Sequence, residues 1–167
     1  MTVVVADTSP LNYLVLIGEV AILPSLDGQV VMPPEVLAEL TDRDAPPEVL
    51  RWIQLRPAWL QVRHPRMTQH DAALQQLDPG ERAAILLAQQ EPDVLLPIDD
   101  AAGRIEANRR GIPSTGTLGV LRAAAIRQLL DFPAALKRLA ETNFRISQSL
   151  LSDLLPEDSE RKPLVKE

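Results

Sequence analysis

Apolar positions along the chain fall into short continuous runs separated by stretches of helical spacing. Val3-Val4-Val5-Ala6 is an uninterrupted, mostly β-branched run, the pattern of a strand buried on both faces. It stops at Asp7. Ser9-Pro10 then offers a cap and a proline at the first helical position, which predicts a helix to about Ile17. Residues 29–32 read as a second strand, followed by Pro33-Pro34 and a helix over 35–40, and Pro46-Pro47 opens another helix to Leu55. Residues 59–62, 94–98 and 112–114 read as three further strands, the last at the sheet edge, where Pro113 is tolerated. From Thr117 onward Leu118, Leu121, Ala125 and Leu129 recur at near-helical spacing. Asp131 is placed to cap a helix containing Ala134, Leu136 and Leu139, and Ser147 to start a last one to Leu155.

Strands alternating with helices imply parallel pairing, so the expected fold class is α/β. No repeat and no interdomain linker interrupts the pattern. A single domain over residues 1–155 is expected, with a charged, disordered tail at 156–167.

Composition narrows the reading. The 167 residues are 46% hydrophobic but only 3% aromatic, so the core must be built mostly from Leu, Ala, Val and Ile, and an aromatic stacking platform for single-stranded nucleic acid is disfavoured. The absence of cysteine excludes disulfides and thiolate-bound zinc. The opening apolar run is too short for a signal peptide or a membrane span, which leaves a cytoplasmic protein without a membrane partner as the expectation.

The net charge of −6 is unevenly distributed. Residues 1–100 hold 6 Arg/Lys against 15 Asp/Glu, whereas residues 101–147 hold 8 against 3. That basic stretch reads either as solvated helix surface or as a phosphate-binding rim in which Arg104, Arg109 and Arg110 contact RNA.

Several carboxylates stand where chemistry is expected. In open parallel sheets, ligands sit beyond the carboxyl ends of the strands, where the strand order reverses. Asp7 ends the first strand, and Asp99-Asp100 end the fourth; helix capping is the alternative role for each. Glu39 follows the second strand but shares a helix face with Glu35, as solvated surface would. Glu81 completes a capping box with Asp78, which does not stop it from facing the crevice. Carboxylates gathered there would repel one another without hard divalent cations, and one or two magnesium or manganese ions fit best. Without Asp7, Glu39, Glu81, Asp99 and Asp100 the chain would lie within one charge of neutrality, so most of its excess negative charge sits in the proposed site.

These motifs, in this order, resemble a known family. Val4-Val5-Ala6-Asp7-Thr8-Ser9-Pro10-Leu11, Pro33-Pro34 with Glu39-Leu40, Asp78-x-Gly80-Glu81 with Ile85, Leu87 and Ala88, Leu96-x-Ile98-Asp99-Asp100 and Gly116-Thr117-Leu118-Gly119 are similar to PIN-domain ribonucleases, in particular the VapC-type toxins of prokaryotic toxin–antitoxin pairs. The resemblance implies an α/β/α sandwich around a five-stranded parallel sheet, with extra C-terminal helices. It also implies metal-dependent endonuclease activity on RNA, an antitoxin partner and a homodimer. By the same resemblance Asp7, Glu39, Glu81, Asp99 and Asp100 are catalytic metal ligands, and Ser9 supports them. Glu81 stands where many relatives have aspartate. Ile98 replaces a threonine of the Thr-x-Asp motif, and Asp100 takes that motif's aspartate position with Asp99 beside it. Thr117 either restores the lost hydroxyl from elsewhere or belongs to a plain strand-to-helix turn.

His64 and His70 read as surface residues, and Trp52 and Trp59 as packing. An aspartyl-phosphate phosphatase or receiver would also put aspartate after its first strand. This chain, however, has no lysine before Lys137 and no Asp-x-Asp after that strand. A catalytically inactive PIN-like binding module is the remaining alternative.

Overall fold

In the computed structural model, which describes residues 2–66 and 71–161, the five apolar runs form one parallel sheet. Its strands are β1 (Val3–Val5), β2 (Gln29–Met32), β3 (Leu60–Val62), β4 (Val94–Pro97) and β5 (Ser114–Thr115). They lie in the order β3-β2-β1-β4-β5. Val4 pairs with Val30 on one side and Leu95 on the other, so β1 is central. The chain builds outward from β1 to β3 and then returns to β4. The switch point therefore lies between β1 and β4, and Asp7 and Asp99 follow the carboxyl ends of those two strands.

Alternation along β1 and β2 divides the interior in two. Val4, Ala6, Val30 and Met32 face a core completed by α1 (Thr8–Leu16), α2 (Ile22–Asp27), α3 (Pro34–Leu40), α4 (Pro47–Gln54), α7 (Thr117–Ile126) and α8 (Phe132–Ala140). Val3, Val5 and Val31 face a second core with α5 (Pro79–Gln89) and α6 (Ala101–Arg109). The result is a three-layer α/β/α sandwich. Trp52 and Trp59 pack together at 6.1 Å against the first core. His64 is exposed, and His70 lies outside the described residues.

Local chemistry explains where elements differ from the expectations. The fifth strand falls on Ser114–Thr115 because Pro113 has no N–H; its carbonyl instead accepts from Leu96 at 2.9 Å. The sequence reading contained no helix over Ile22–Asp27. That short turn of helix ends at Gly28, whose φ of 102° only glycine adopts readily. α7 stops at Ile126 because Gln128 turns left-handed (φ 59°), which leaves Leu129 half exposed. α9 (Gln148–Arg161) runs past Leu155, so 157–161 belong to a helix; residues 162–167 lie outside the described set.

α8 fixes the C-terminal helices to the sandwich. Asp131 accepts from Ala134 N–H at 3.1 Å as its cap, and Phe132, the largest fully buried side chain, anchors its first turn in the core. Arg138 reaches back to Glu19 at 2.5 Å. Phe132→Ala is expected to lower unfolding stability by about 3–5 kcal/mol, a large aromatic-to-alanine deletion in a closed core. Urea denaturation checks it; a loss under about 1 kcal/mol would mean that α8 is not anchored there.

Candidate active site

Asp7 occupies the cap position of α1 by its extended backbone, yet its side chain makes no cap hydrogen bond. Ser9, expected to be the cap, is instead inside the helix and donates from Oγ to Asp99 Oδ2 at 2.6 Å. Both differences have one cause: the start of α1 turns its polar side chains into the crevice between β1 and β4. Asp7 is 4% exposed, and its Oδ1 is buried without a hydrogen-bond partner. Burial pushes its carboxyl up to about 7; a hydrogen bond from the Thr8 backbone opposes it, and the like charges of Asp78, Glu39 and Asp99 each add a smaller raise.

Glu39 reaches the same crevice from α3. Its carboxylate accepts from Thr8 Oγ and, at 3.1 Å, from Gly80 N–H. A Cβ at Gly80 would stand 2.6 Å from the Glu39 carboxylate oxygens, so glycine lets α5 approach that closely. Glu81 forms the capping box with Asp78: Glu81 N–H donates to Asp78 at 2.8 Å, and Asp78 N–H donates back at 3.4 Å. Burial and the neighbouring Asp78, Asp100 and Asp7 raise the Glu81 carboxyl to about 8. A cavity of about 250 Å³ is lined by Asp7, Glu39, Asp78 and Glu81 together with Asn12 and Tyr13 of α1.

The two aspartates after β4 separate. Asp99 accepts from Ser9 Oγ, from Thr117 N–H at 2.6 Å and from Thr117 Oγ at 2.7 Å. Asp100 is exposed and caps α6 through Gly103 N–H at 2.9 Å, although its charge still reaches Glu81. Asp99 is thus the one turned into the crevice, whereas the family motif pointed to Asp100. Thr117, fully buried at the start of α7, supplies a hydroxyl that the chain lacks at Ile98, just past β4.

The expected arginines also part company. Arg104 stands at the crevice, where its Nη1 donates to the carbonyls of Asp99 at 2.5 Å and Ile98 at 3.3 Å. Arg109 and Arg110 are not brought there. They end α6, which starts at the crevice and carries them about 13 Å away at 1.5 Å per residue. Arg110 pairs with Glu106 at 2.9 Å and Asp71 at 2.7 Å, and Arg109 with Glu106 at 2.9 Å. They neutralise a nearly buried glutamate, a structural task that a charge count along the sequence cannot see.

Sequence reasoning missed Thr8, Asp78 and Asn12 as lining residues. Asn12 follows Thr8, and Tyr13 follows Ser9, by four positions on α1, so helical spacing from Asp7's neighbours could have found both. Asp78 was hidden by its capping role. Arg145 and Asn143, beyond α8, carry no local signal; only folding brings them to Ser9 and Asp99.

All the acidic donors are carboxylate oxygens, and the buried, unpartnered Oδ1 of Asp7 fits a hard divalent cation. Among the described residues no three of them stand in ready ligating geometry. Without a cation the cluster penalises the fold. A carboxyl raised in the folded state contributes stability that is present below its unfolded value and is lost as pH rises through the folded one. For Asp7 and Glu81 that loss runs from about pH 4 to about 7 and 8. In chelator, Asp7→Asn is expected to be more stable than the parent at pH 8, by up to about 4 kcal/mol, with the difference vanishing toward pH 4. Urea unfolding across that range measures it; a variant less stable at pH 8 would show that Asp7 is held by partners, not repelled.

Comparison with known proteins places this geometry. No curated protein matches the sequence. The family model DUF3368, described as a PIN domain, matches residues 3–160, from the first residue of β1 to the last turn of α9. With nearly the whole sandwich inside that match, the chain belongs to the PIN-domain family.

Proposed function

We propose that this chain is an endoribonuclease that depends on magnesium or manganese and hydrolyses phosphodiester bonds by attack of water. The observation that carries the reading is the buried, unpartnered oxygen of Asp7, set among the carboxylates of Glu39, Asp78, Glu81 and Asp99 at the carboxyl ends of β1 and β4. Isolated buried charges are retained where something else neutralises them. A nuclease fold supplies the class of chemistry.

Asp7, Glu39, Glu81 and Asp99 are the residues that would hold the ion, with Asp100 contributing charge from the mouth. Once bound, a divalent ion neutralises the cluster and makes water a better nucleophile near neutral pH. The remaining side chains orient. Thr8 and the Gly80 N–H fix the Glu39 carboxylate. Ser9 and Thr117 fix that of Asp99, and Arg104 holds the carbonyls on which the Asp99 turn is built. The catalytic carboxylates are thereby held at a set spacing before substrate arrives.

Attack of water on phosphorus leaves 5′-phosphate and 3′-hydroxyl ends and has no use for the ribose 2′-hydroxyl. Incubation of a labelled RNA with magnesium or manganese is expected to give such ends, with none formed in excess chelator or by Asp7→Asn. Cleavage that persists in chelator, or 2′,3′-cyclic products, would sink the reading. The resemblance to VapC-type ribonucleases extends the proposal to a toxin that acts as a homodimer and is silenced by an antitoxin. Expression is then expected to arrest growth in the parent and not in Asp7→Asn.

A further inference from the structure

Beside the carboxylate cluster lies a second, larger cavity of about 590 Å³, within the range of about 300–1,000 Å³ typical of small-ligand sites. Ser9 and Asp99 belong to its wall, so whatever fills it lies next to the scissile bond. The other walls come from α1, the start of α7, Arg104 of α6 and the segment after α8 that carries Asn143, Phe144 and Arg145.

We infer that this cavity holds one nucleotide of the RNA flanking the cleaved phosphodiester. The inference rests on the nuclease reading for its choice of ligand. Three features of the walls match the face of a base, the edge of a base and a phosphate. For the base there is one aromatic pair: the chain's single tyrosine, Tyr13, meets Phe144 edge to face at 4.9 Å. One such pair serves one base, which agrees with the scarcity of aromatic residues elsewhere. For a base edge there is Asn143. Its Oδ1 accepts from Tyr13 Oη at 2.7 Å, which leaves its amide nitrogen as a donor.

For the phosphate there are two cations and a helix start. Among the described residues, neither Arg104 nor Arg145 is paired with a carboxylate, unlike Arg109 and Arg110 at the far end of α6. α7 has no side-chain cap hydrogen bond, and Leu118 and Gly119 of its first turn line the cavity. Thr117 N–H, by contrast, is already committed to Asp99. Arg145 and Asn143 are thus specificity-determining and positioning groups contributed by the C-terminal segment, outside the carboxylate site.

Binding of a short single-stranded RNA of mixed sequence, followed by fluorescence anisotropy in calcium across a salt series, tests this without cleavage. Arg145→Ala is expected to weaken binding about tenfold, the effect of one charge-assisted contact, and to reduce the salt slope by about 0.7. Arg109→Ala, a charge removed at the far end of α6, is expected to bind as the parent does. In magnesium or manganese, sequenced cleavage sites of Asn143→Ala are expected to lose a nucleotide preference at one position beside the cut. Binding and cut-site preference unchanged in both Arg145→Ala and Asn143→Ala would overturn the inference, as would no binding by the parent. A parent that binds RNA with the expected Arg145 dependence, yet never cuts it, would sink the nuclease reading and leave the cavity's ligand standing. Circular dichroism on each variant separates loss of contact from loss of fold.

Discussion

Mutual repulsion among carboxylates at the switch point is the constraint around which the rest of this molecule is arranged. Parallel strands β1 and β4 end side by side there, and Asp7 and Asp99 follow their carboxyl ends. α3 and α5 then add Glu39, Asp78 and Glu81. Burial first, and the neighbouring carboxylates after it, raise the cost of ionising Asp7 and Glu81, which pushes their carboxyls up to about 7 and about 8. Donors relieve part of this, but unevenly. Glu39 and Asp99 receive hydroxyl and backbone N–H groups, while one oxygen of Asp7 receives nothing from the protein. Such an arrangement trades stability for function, and the deficit is greatest where an external cation would be most useful.

The sandwich supplies that cluster but only half of the surface around it. The remainder depends on α7, α8 and the segment that follows. Arg138 with Glu19, and Asn143 and Phe144 with Tyr13, stitch this segment back onto the first helix. Its position in turn rests on Phe132 and Leu136, buried between α8 and the main core. Packing energy far from the carboxylates therefore sets the width of the crevice, and the shape of the larger cavity is a property of the whole first layer.

What was legible in the sequence follows from how local each cause is. Strand ends could be read because an apolar β-branched run stops at an aspartate, and the chain order of those runs limits the sheet to few topologies. The capping role of Glu81 could be read because a capping box is a four-residue signal. Asp99 and Asp100 could not be told apart. Which of two adjacent carboxylates caps α6 depends on where β4 ends, and that depends on its pairing with β5. Arg109 and Arg110 were misplaced for a similar reason. Their partners Glu106 and Asp71 fix them at the distal end of α6, and Asp71 lies thirty-nine residues away from Arg110 in the chain. The cavity built by Tyr13 and Asn143 joins residues one hundred and thirty positions apart and left no trace in any window of sequence.

The same separation resolves the paradox of an acidic chain whose proposed substrate is a polyanion. Net charge governs long-range attraction only weakly at physiological salt, where the screening length is about 8 Å. Within that range the field is set by the nearest groups. Half of the basic segment is engaged within the protein: Arg110 and Arg109 with Glu106, Arg138 with Glu19, and Arg127 with the carbonyls that end α2. Arg104 and Arg145 are different, because they flank the cavity next to the carboxylates rather than answering a carboxylate of their own. Under the proposed function, a phosphate would meet these two cations in the same cavity wall that carries Asp99. A polyanionic substrate would need the charge of the clustered carboxylates offset, and the proposed function supplies that offset twice, by the arginines of the cavity and by a bound divalent cation.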